Sequence, residues 1–254
     1  MNSADVKEVG QYFHRAFDLI IHSDVSNFVF REFCHWRFSL FNRSTISNYL
    51  NTHEVRKLQV GSGLNRLDGW LNTDIFAKKG IAFLDARKKF PFNDRTFDYV
   101  FCEHLIEHLE YRVGVGFIRE CFRVLKPGGK IRISTPDLRF LIELYNENKT
   151  DVQTSYIRSA VDTFLPEIGI YQDTFVINNF FKGWGHKFIY DFKTLNDLLV
   201  KSGFVNVTRQ EPGQSADQNL VGIESHGIGI SEEFNRLESI VLEGTKAWIE
   251  EFSS

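Results

Sequence analysis

Paired cysteines, a membrane-length apolar run and a strong charge of either sign are all missing from this 254-residue chain. Its three cysteines, Cys34, Cys102 and Cys121, have neither disulfide nor metal-type spacing. Cys102 falls in an apolar strand pattern and Cys121 in a helical one, so both read as small core residues in a reducing compartment. No uninterrupted apolar stretch approaches the ~20 residues that a bilayer span needs. Met1 is followed by polar residues rather than by a basic-then-apolar leader, and the expected location is cytoplasmic. A net charge of −3 argues against a nucleic-acid surface. The clusters Lys78-Lys79 and Arg87-Lys88-Lys89 read as solvated loop faces. There is no internal repeat and no low-complexity linker.

Phenylalanine, by contrast, is plentiful, with 25 in the chain. Phe13, Phe17, Phe28, Phe30, Phe33, Phe38 and Phe41 crowd the first 41 residues with Tyr12 and Trp36. They read as a helical segment burying an aromatic face on the main domain; a membrane-surface anchor or a partner groove is the competing reading. One main domain, residues 53–254, is expected behind a helical extension over residues 1–52, with residues 140–190 as a helical insertion. Oligomeric state is open, a homodimer included.

Apolar runs place strands near 57–60, 70–74, 81–85, 97–102, 130–135, 204–209 and 219–224. Helical spacing places helices at 5–22, 44–52, about 112–125, from Asp137 onward, from the Thr194–Asp197 capping box to Ser202-Gly203, and over 231–252. Strands alternating with helices make an α/β fold with a mostly parallel sheet. Thirteen positions separate Gly61 from Asp74 and eleven separate Asp74 from Asp85. A crossover with its helix takes at least ~10–12 residues, so the first two are stunted and leave a sheet face bare. Residues 1–50 are expected to cover it and to roof the crevice.

The chemistry-bearing residues stand at strand ends. The first strand enters the turn Gly61-Ser62-Gly63, where the chain approaches a ligand without side chains in the way. The next three apolar runs end at Asp74, Asp85 and Glu103. Ligands of open α/β sheets sit beyond these carboxyl ends, and three acids there suit a hydroxyl-rich, amine-bearing or cationic ligand better than a diphosphate. A dinucleotide fingerprint wants glycine three residues after Gly63, where this chain has Arg66.

Residues 57–137 resemble class I S-adenosylmethionine-dependent methyltransferases, particularly the broad small-molecule group. The resemblance rests on Val60-Gly-Ser-Gly63, Asp74, Phe83-Leu-Asp-Ala86, Phe90–Val100, Glu103-His-Leu-Ile-Glu-His-Leu109 and Arg119–Gly129. His186 through Phe204 is similar to a later helix and strand entry of the family. The resemblance implies a Rossmann-like seven-stranded sheet with an antiparallel last strand. It places ribose on Asp74, adenine at Asp85 and Ala86, and the methionine end near Gly61, Gly63, Glu103 and His104, with Ile75 also counted among the cofactor-binding residues. Gln59 and Asn65 depart from the family pattern. S-adenosyl-L-methionine is thus the expected cofactor, and the expected acceptor is a small molecule or a glycan. O-, N- and C-methylation all remain open, with O-methylation by a general base preferred.

A base with a pKa near working pH suits a hydroxyl acceptor, and histidine fits. His108, just past the fourth strand, and His186, in Lys182-Gly-Trp-Gly-His-Lys-Phe188, are the two candidates, with Glu107 able to orient either. Phe164, Tyr171, Phe175, Phe180, Phe181 and Trp184 would line the acceptor pocket, or else pack as a plain helical cap. His104-Leu-Ile-Glu107-His108 also spells a zinc-peptidase pattern. No third ligand is evident beside it, and no metal is expected. The reading from another class is a catalytically silent S-adenosylmethionine-fold binding or interaction module.

Overall fold

The computed structural model describes residues 42–63, 65–224 and 230–248. Seven strands form one sheet: β1 (Lys57–Val60), β2 (Leu71–Asp74), β3 (Ala82–Phe83), β4 (Phe97–Glu103), β5 (Leu125–Pro136), β6 (Phe204–Gln210) and β7 (Ser239–Lys246). Their order is β3-β2-β1-β4-β5-β7-β6. β1 to β5 run parallel, and β7 lies antiparallel between β5 and β6. The order reverses at β1, which pairs with β2 on one side and β4 on the other. That switch point is where an open α/β sheet opens a ligand crevice.

Seven helices accompany the described strands: α1 (42–52), α2 (Tyr111–Val124), α3 (Leu138–Leu144), α4 (Asp151–Phe164), α5 (Asp173–Lys182), α6 (Phe192–Lys201) and α7 (Glu232–Glu238). In α2, Phe117, Ile118, Cys121 and Val124 share a buried face. Each large apolar side chain so buried contributes about 1.5–3 kcal/mol relative to exposure. They join Leu58, Val60, Val100, Ile131 and Ile133 in one core on a single sheet face, completed by Leu195 and Leu199 of α6.

Among the described residues no helix stands between β1 and β2 or between β2 and β3. The bare patch is covered by α1, whose Ile46 and Tyr49 enter the same core. The Asn42 side chain bonds both backbone groups of Phe83, at 2.8 and 2.9 Å, tying α1 to edge strand β3. The expected cover is therefore present from residue 42 onward; the aromatic run before it lies outside the described residues. The opposite sheet face is covered by the segment 211–224. It buries Leu220 and Ile223 against Trp70 and Phe101, and it encloses the Arg132 guanidinium between Glu224 and Glu243.

Two expectations fail at the C-terminal end. Residues 219–224 are turns rather than a strand, and residues 239–246 are strand β7 rather than the end of a helix. β7 is sandwiched and almost wholly buried, so its apolar residues form a block instead of alternating. The block Ile240-Val-Leu242 then continues the helical spacing of Phe234 and Leu237 and hides the change of element. Asp191, rather than Thr194, caps α6, accepting the Thr194 N–H at 2.8 Å. In the aromatic section 150–190, Thr150 and Gln153 form a reciprocal capping box that starts α4. α3, α4 and α5 share a second small core with Ile189 and Phe234.

Candidate active site

The turn after β1 is built for close approach. Gly61 and Gly63 both have positive φ, at 74° and 53°. A Cβ at Gly61 would lie 2.7 Å from Cδ1 of Leu105, so the glycine is required by conformation and by space. The Gly61 and Ser62 amides both donate to Thr73 O at 2.9 Å. The Asp74 carboxylate, ending β2, accepts from Gly63 N at 2.9 Å and from Phe76 N at 2.8 Å. It remains only partly buried, beside the partly buried Ile75, with lone pairs to spare for hydroxyl donors. Gln59 Oε1 and Ser62 Oγ are buried without a hydrogen-bond partner among the described residues. Unsatisfied polar atoms beside a glycine turn and an acceptor carboxylate fit the ribose and amino-acid ends of S-adenosylmethionine.

The adenine end fits less simply. Asp85 and Ala86 are buried just beyond β3. Both Asp85 oxygens already accept from Arg87, Oδ1 from Nε and Oδ2 from Nη2, each at 2.7 Å. Burial pushes the Asp85 carboxyl up, but the Arg87 hydrogen bonds and charge hold it below the usual range. An exocyclic amine would share this carboxylate with a guanidinium, a partner the sequence reading did not include.

Beyond β4 the chain forms a buried polar cluster. Glu103 ends the strand, half-buried, and His104 follows with a φ of 46°. This left-handed conformation is strained for a residue with a side chain. The His104 ring turns to Glu107, with Nδ1 at 3.0 Å from Oε1, so its side chain is committed there. Glu107 lies in a single 3-10 turn, Ile106–His108, not in a longer helix. It is fully buried. Its Oε2 accepts from Thr135 Oγ1 at 3.0 Å, and its carbonyl accepts from Lys187 and Phe188 N–H at 2.7 and 3.1 Å. Those last two bonds bring the 183–188 loop onto the turn, and with it His186.

The His108 and His186 rings meet edge to face, centroids 4.9 Å apart. His186 Nδ1 lies 2.6 Å from Phe180 O. A carbonyl only accepts, so Nδ1 carries the proton and Nε2 the lone pair. Burial pushes His186 down to about 4 against the pull of Glu107, and burial lowers His108 as well. At Glu107 burial acts upward, yet the His104 hydrogen bond and the neighbouring imidazoles hold it down to about 2. Burial also acts downward on His104, where Glu107 reverses it and raises the ring. The result is one hydrogen-bonded pair, His104 with Glu107, beside two imidazoles whose pKa values burial lowers.

Sequence separation hid this arrangement. Nothing marks Thr135 or the Phe180 carbonyl as anchors, because one is a strand residue and the other a backbone group. The proposed pocket rings divide: Phe164 and Phe180 pack on Trp184 at 5.0 and 5.5 Å. Trp184 in turn reaches His186 at 5.6 Å. Tyr171 and Phe181 are exposed, and Phe175 is partly buried. A cavity of about 250 Å³ lies away from the strand ends, between Lys149, Thr154, Ile157, Arg158 and the 171–173 segment.

The sheet order, with its switch point at β1 and an antiparallel β7 between β5 and β6, is a Rossmann-like α/β arrangement. Residues 71–133, from β2 into β5, match the methyltransferase domain family. No curated protein matches the chain by sequence. Among solved structures it is similar to a phosphoethanolamine N-methyltransferase 2 of Haemonchus contortus bound to S-adenosyl-L-methionine, at 12% identity and TM-score 0.41. That match covers 82% of this chain and 52% of the other, so this chain spans about half its length. It is similar also to a methyltransferase of Thermotoga maritima described as a possible histamine N-methyltransferase (17% identity, TM-score 0.43, 87% and 99% covered). A third is an S-adenosylmethionine-dependent methyltransferase of Mesorhizobium loti (17%, TM-score 0.47, 76% and 91% covered). Among the described residues no helix is long and apolar enough to cross a membrane.

Proposed function

We propose that this chain transfers the methyl group of S-adenosylmethionine to a hydroxyl of a small-molecule or sugar acceptor. The cofactor, when bound, supplies an electrophilic sulfonium methyl. Asp74 and the Gly61–Gly63 turn hold its ribose and amino-acid ends, with Asp85, Ala86, Ile75, Glu103 and the backbone at His104 around them. The helical insertion over residues 140–190 covers the acceptor side.

The observation that carries the reading is the pair of partly buried imidazoles packed edge to face at the mouth of β4, both with pKa values lowered by burial. Proton removal from a hydroxyl needs an unprotonated base held in place. His186, with Nδ1 locked on the Phe180 carbonyl, presents Nε2 as that base. His108 lies against it, and the Glu107 carboxylate stabilises the charge that either ring gains. Asp74, Asp85 and Glu103 therefore bind, while His108 and His186 move the proton. The free, buried thiols of Cys102 and Cys121 support a cytoplasmic setting.

The test is S-adenosylhomocysteine release over a panel of hydroxylated small molecules and glycans, with His108→Ala and His186→Ala beside the native chain. Each variant is expected to bind S-adenosylhomocysteine normally and to lose turnover by ~10²-fold or more. Unchanged turnover excludes that residue as base. The closure of Arg87 on Asp85 favours a second reading, a silent cofactor-fold module. Cofactor binding without turnover on any acceptor would select it.

A further inference from the structure

We propose that Glu107, His108 and His186 form a binding site for a divalent transition-metal cation of the zinc type. One ligand atom from each of the three lies within 4.8 Å of the other two. The motif His104–His108 suggests zinc, but by the wrong pair of histidines. The His104 ring is committed to Glu107 Oε1 through Nδ1 and is not among the three clustered ligands; the second imidazole arrives from His186, on the loop after α5. Two imidazoles and one carboxylate, with a fourth position left for an outside ligand, is the donor set of an open zinc site.

The surroundings are those of a metal site as well. Ligating histidines characteristically donate their second ring N–H to a backbone carbonyl, which fixes the tautomer and aims the lone pair inward. His186 does this to Phe180 O at 2.6 Å. The backbone of Gly185 and Trp184 lies beside the His108 ring. The carboxylate is likewise steadied, by Thr135 on one oxygen and His104 on the other. Each oxygen keeps lone pairs beyond the bond it accepts. At Zn–N distances of ~2.0–2.1 Å, tetrahedral ligand atoms stand about 3.3 Å apart. The cluster must therefore close by up to about 1.5 Å. His186 sits in a turn with Trp184 and Gly185 at positive φ, where a side-chain and loop adjustment supplies that movement without disturbing the sheet. A bound cation occupies the lone pairs that a base needs, so the histidine base above belongs to the metal-free protein.

The proposal is tested on the full chain, with no methyl donor present. Chelator-treated protein is given one equivalent of zinc chloride, dialysed, and assayed for metal by mass spectrometry. A second sample takes cobalt(II) and is read by visible absorption. Equimolar zinc after dialysis, and the intense d–d bands of low-coordinate cobalt, are expected. His186→Ala and Glu107→Gln should each weaken zinc retention by at least ~10-fold. S-adenosylhomocysteine calorimetry shows that each variant remains folded, and His186→Ala, a loop change, serves if Glu107→Gln does not fold. Zinc lost from the native chain on dialysis overturns the proposal, as does equal retention by folded His186→Ala. Neither result touches the methyl-transfer reading, which turnover on the acceptor panel tests separately.

Discussion

Replacing Asp74 by asparagine isolates the charge at the end of β2 while keeping its shape. The native carboxylate accepts from Gly63 N and Phe76 N, and its remaining lone pairs are available to two ribose hydroxyls. Asparagine keeps one acceptor oxygen and turns an NH2 group toward donors. A hydrogen bond to a charged group contributes about 1.5–3 kcal/mol, against about 0.5–1.5 for a neutral one. Each ribose contact therefore weakens by about 1–2 kcal/mol, or about 2–4 kcal/mol for both. At 1.4 kcal/mol per tenfold, the Kd for S-adenosylhomocysteine should rise roughly 30- to 1000-fold. Titration calorimetry on the native chain and Asp74→Asn gives the number, with thermal unfolding as the control for the turn. A 2′-deoxy analogue should lose affinity on the native chain and little more on the variant. A change under ~3-fold, in a variant whose Tm is unmoved, refutes the ribose assignment.

Gly61→Ala places a Cβ against Leu105 at positive φ; strain of about 1–3 kcal/mol should lower Tm by several degrees and weaken cofactor binding, as scanning calorimetry would record. Arg132→Ala leaves Glu224 and Glu243 buried and facing each other, so about 3–5 kcal/mol of stability should be lost in urea unfolding, and an unchanged midpoint would deny that network its role. Asp217, in contact with Lys130, Tyr99 and Asn219, has its pKa held down to about 2 from 3.8, with burial opposing and the hydrogen bonds winning. Its stabilisation, about 1–2 kcal/mol, is complete above pH ~4 and fades as pH falls toward 2; Asp217→Asn should flatten that part of the stability–pH curve.

Legibility followed the range of the forces. β1, β2 and β4 are short runs closed by glycine or an acid, and local pattern was enough to place them and the acids at their ends; β5 was placed only from residue 130, because Pro127-Gly128-Gly129 read as a helix stop where the strand already runs from Leu125. The stunted crossovers were legible as well, since eleven residues cannot hold a strand, a helix and two turns. β7 was not, because a strand buried on both faces has no alternation, and only pairing with β5 and β6 distinguishes it from the helix before it. The 219–224 segment made the opposite error: its apolar residues pack on Trp70 and Phe101 without joining a strand.

The site divides along the same line. Asp74 and the glycine turn lie within fourteen residues, and backbone geometry alone brings them together. His186 is 78 positions from His108, and no periodicity joins them. Two amide bonds from Lys187 and Phe188 to the Glu107 carbonyl do so. Burial and the Glu107 carboxylate then move the rings in opposite directions, His108 and His186 down and His104 up, an outcome that belongs to the assembled interior and to no stretch of sequence. Local chemistry thus determined the glycine turn and its carboxylate, the proposed cofactor cradle, and long-range packing decided the histidine pair beside it.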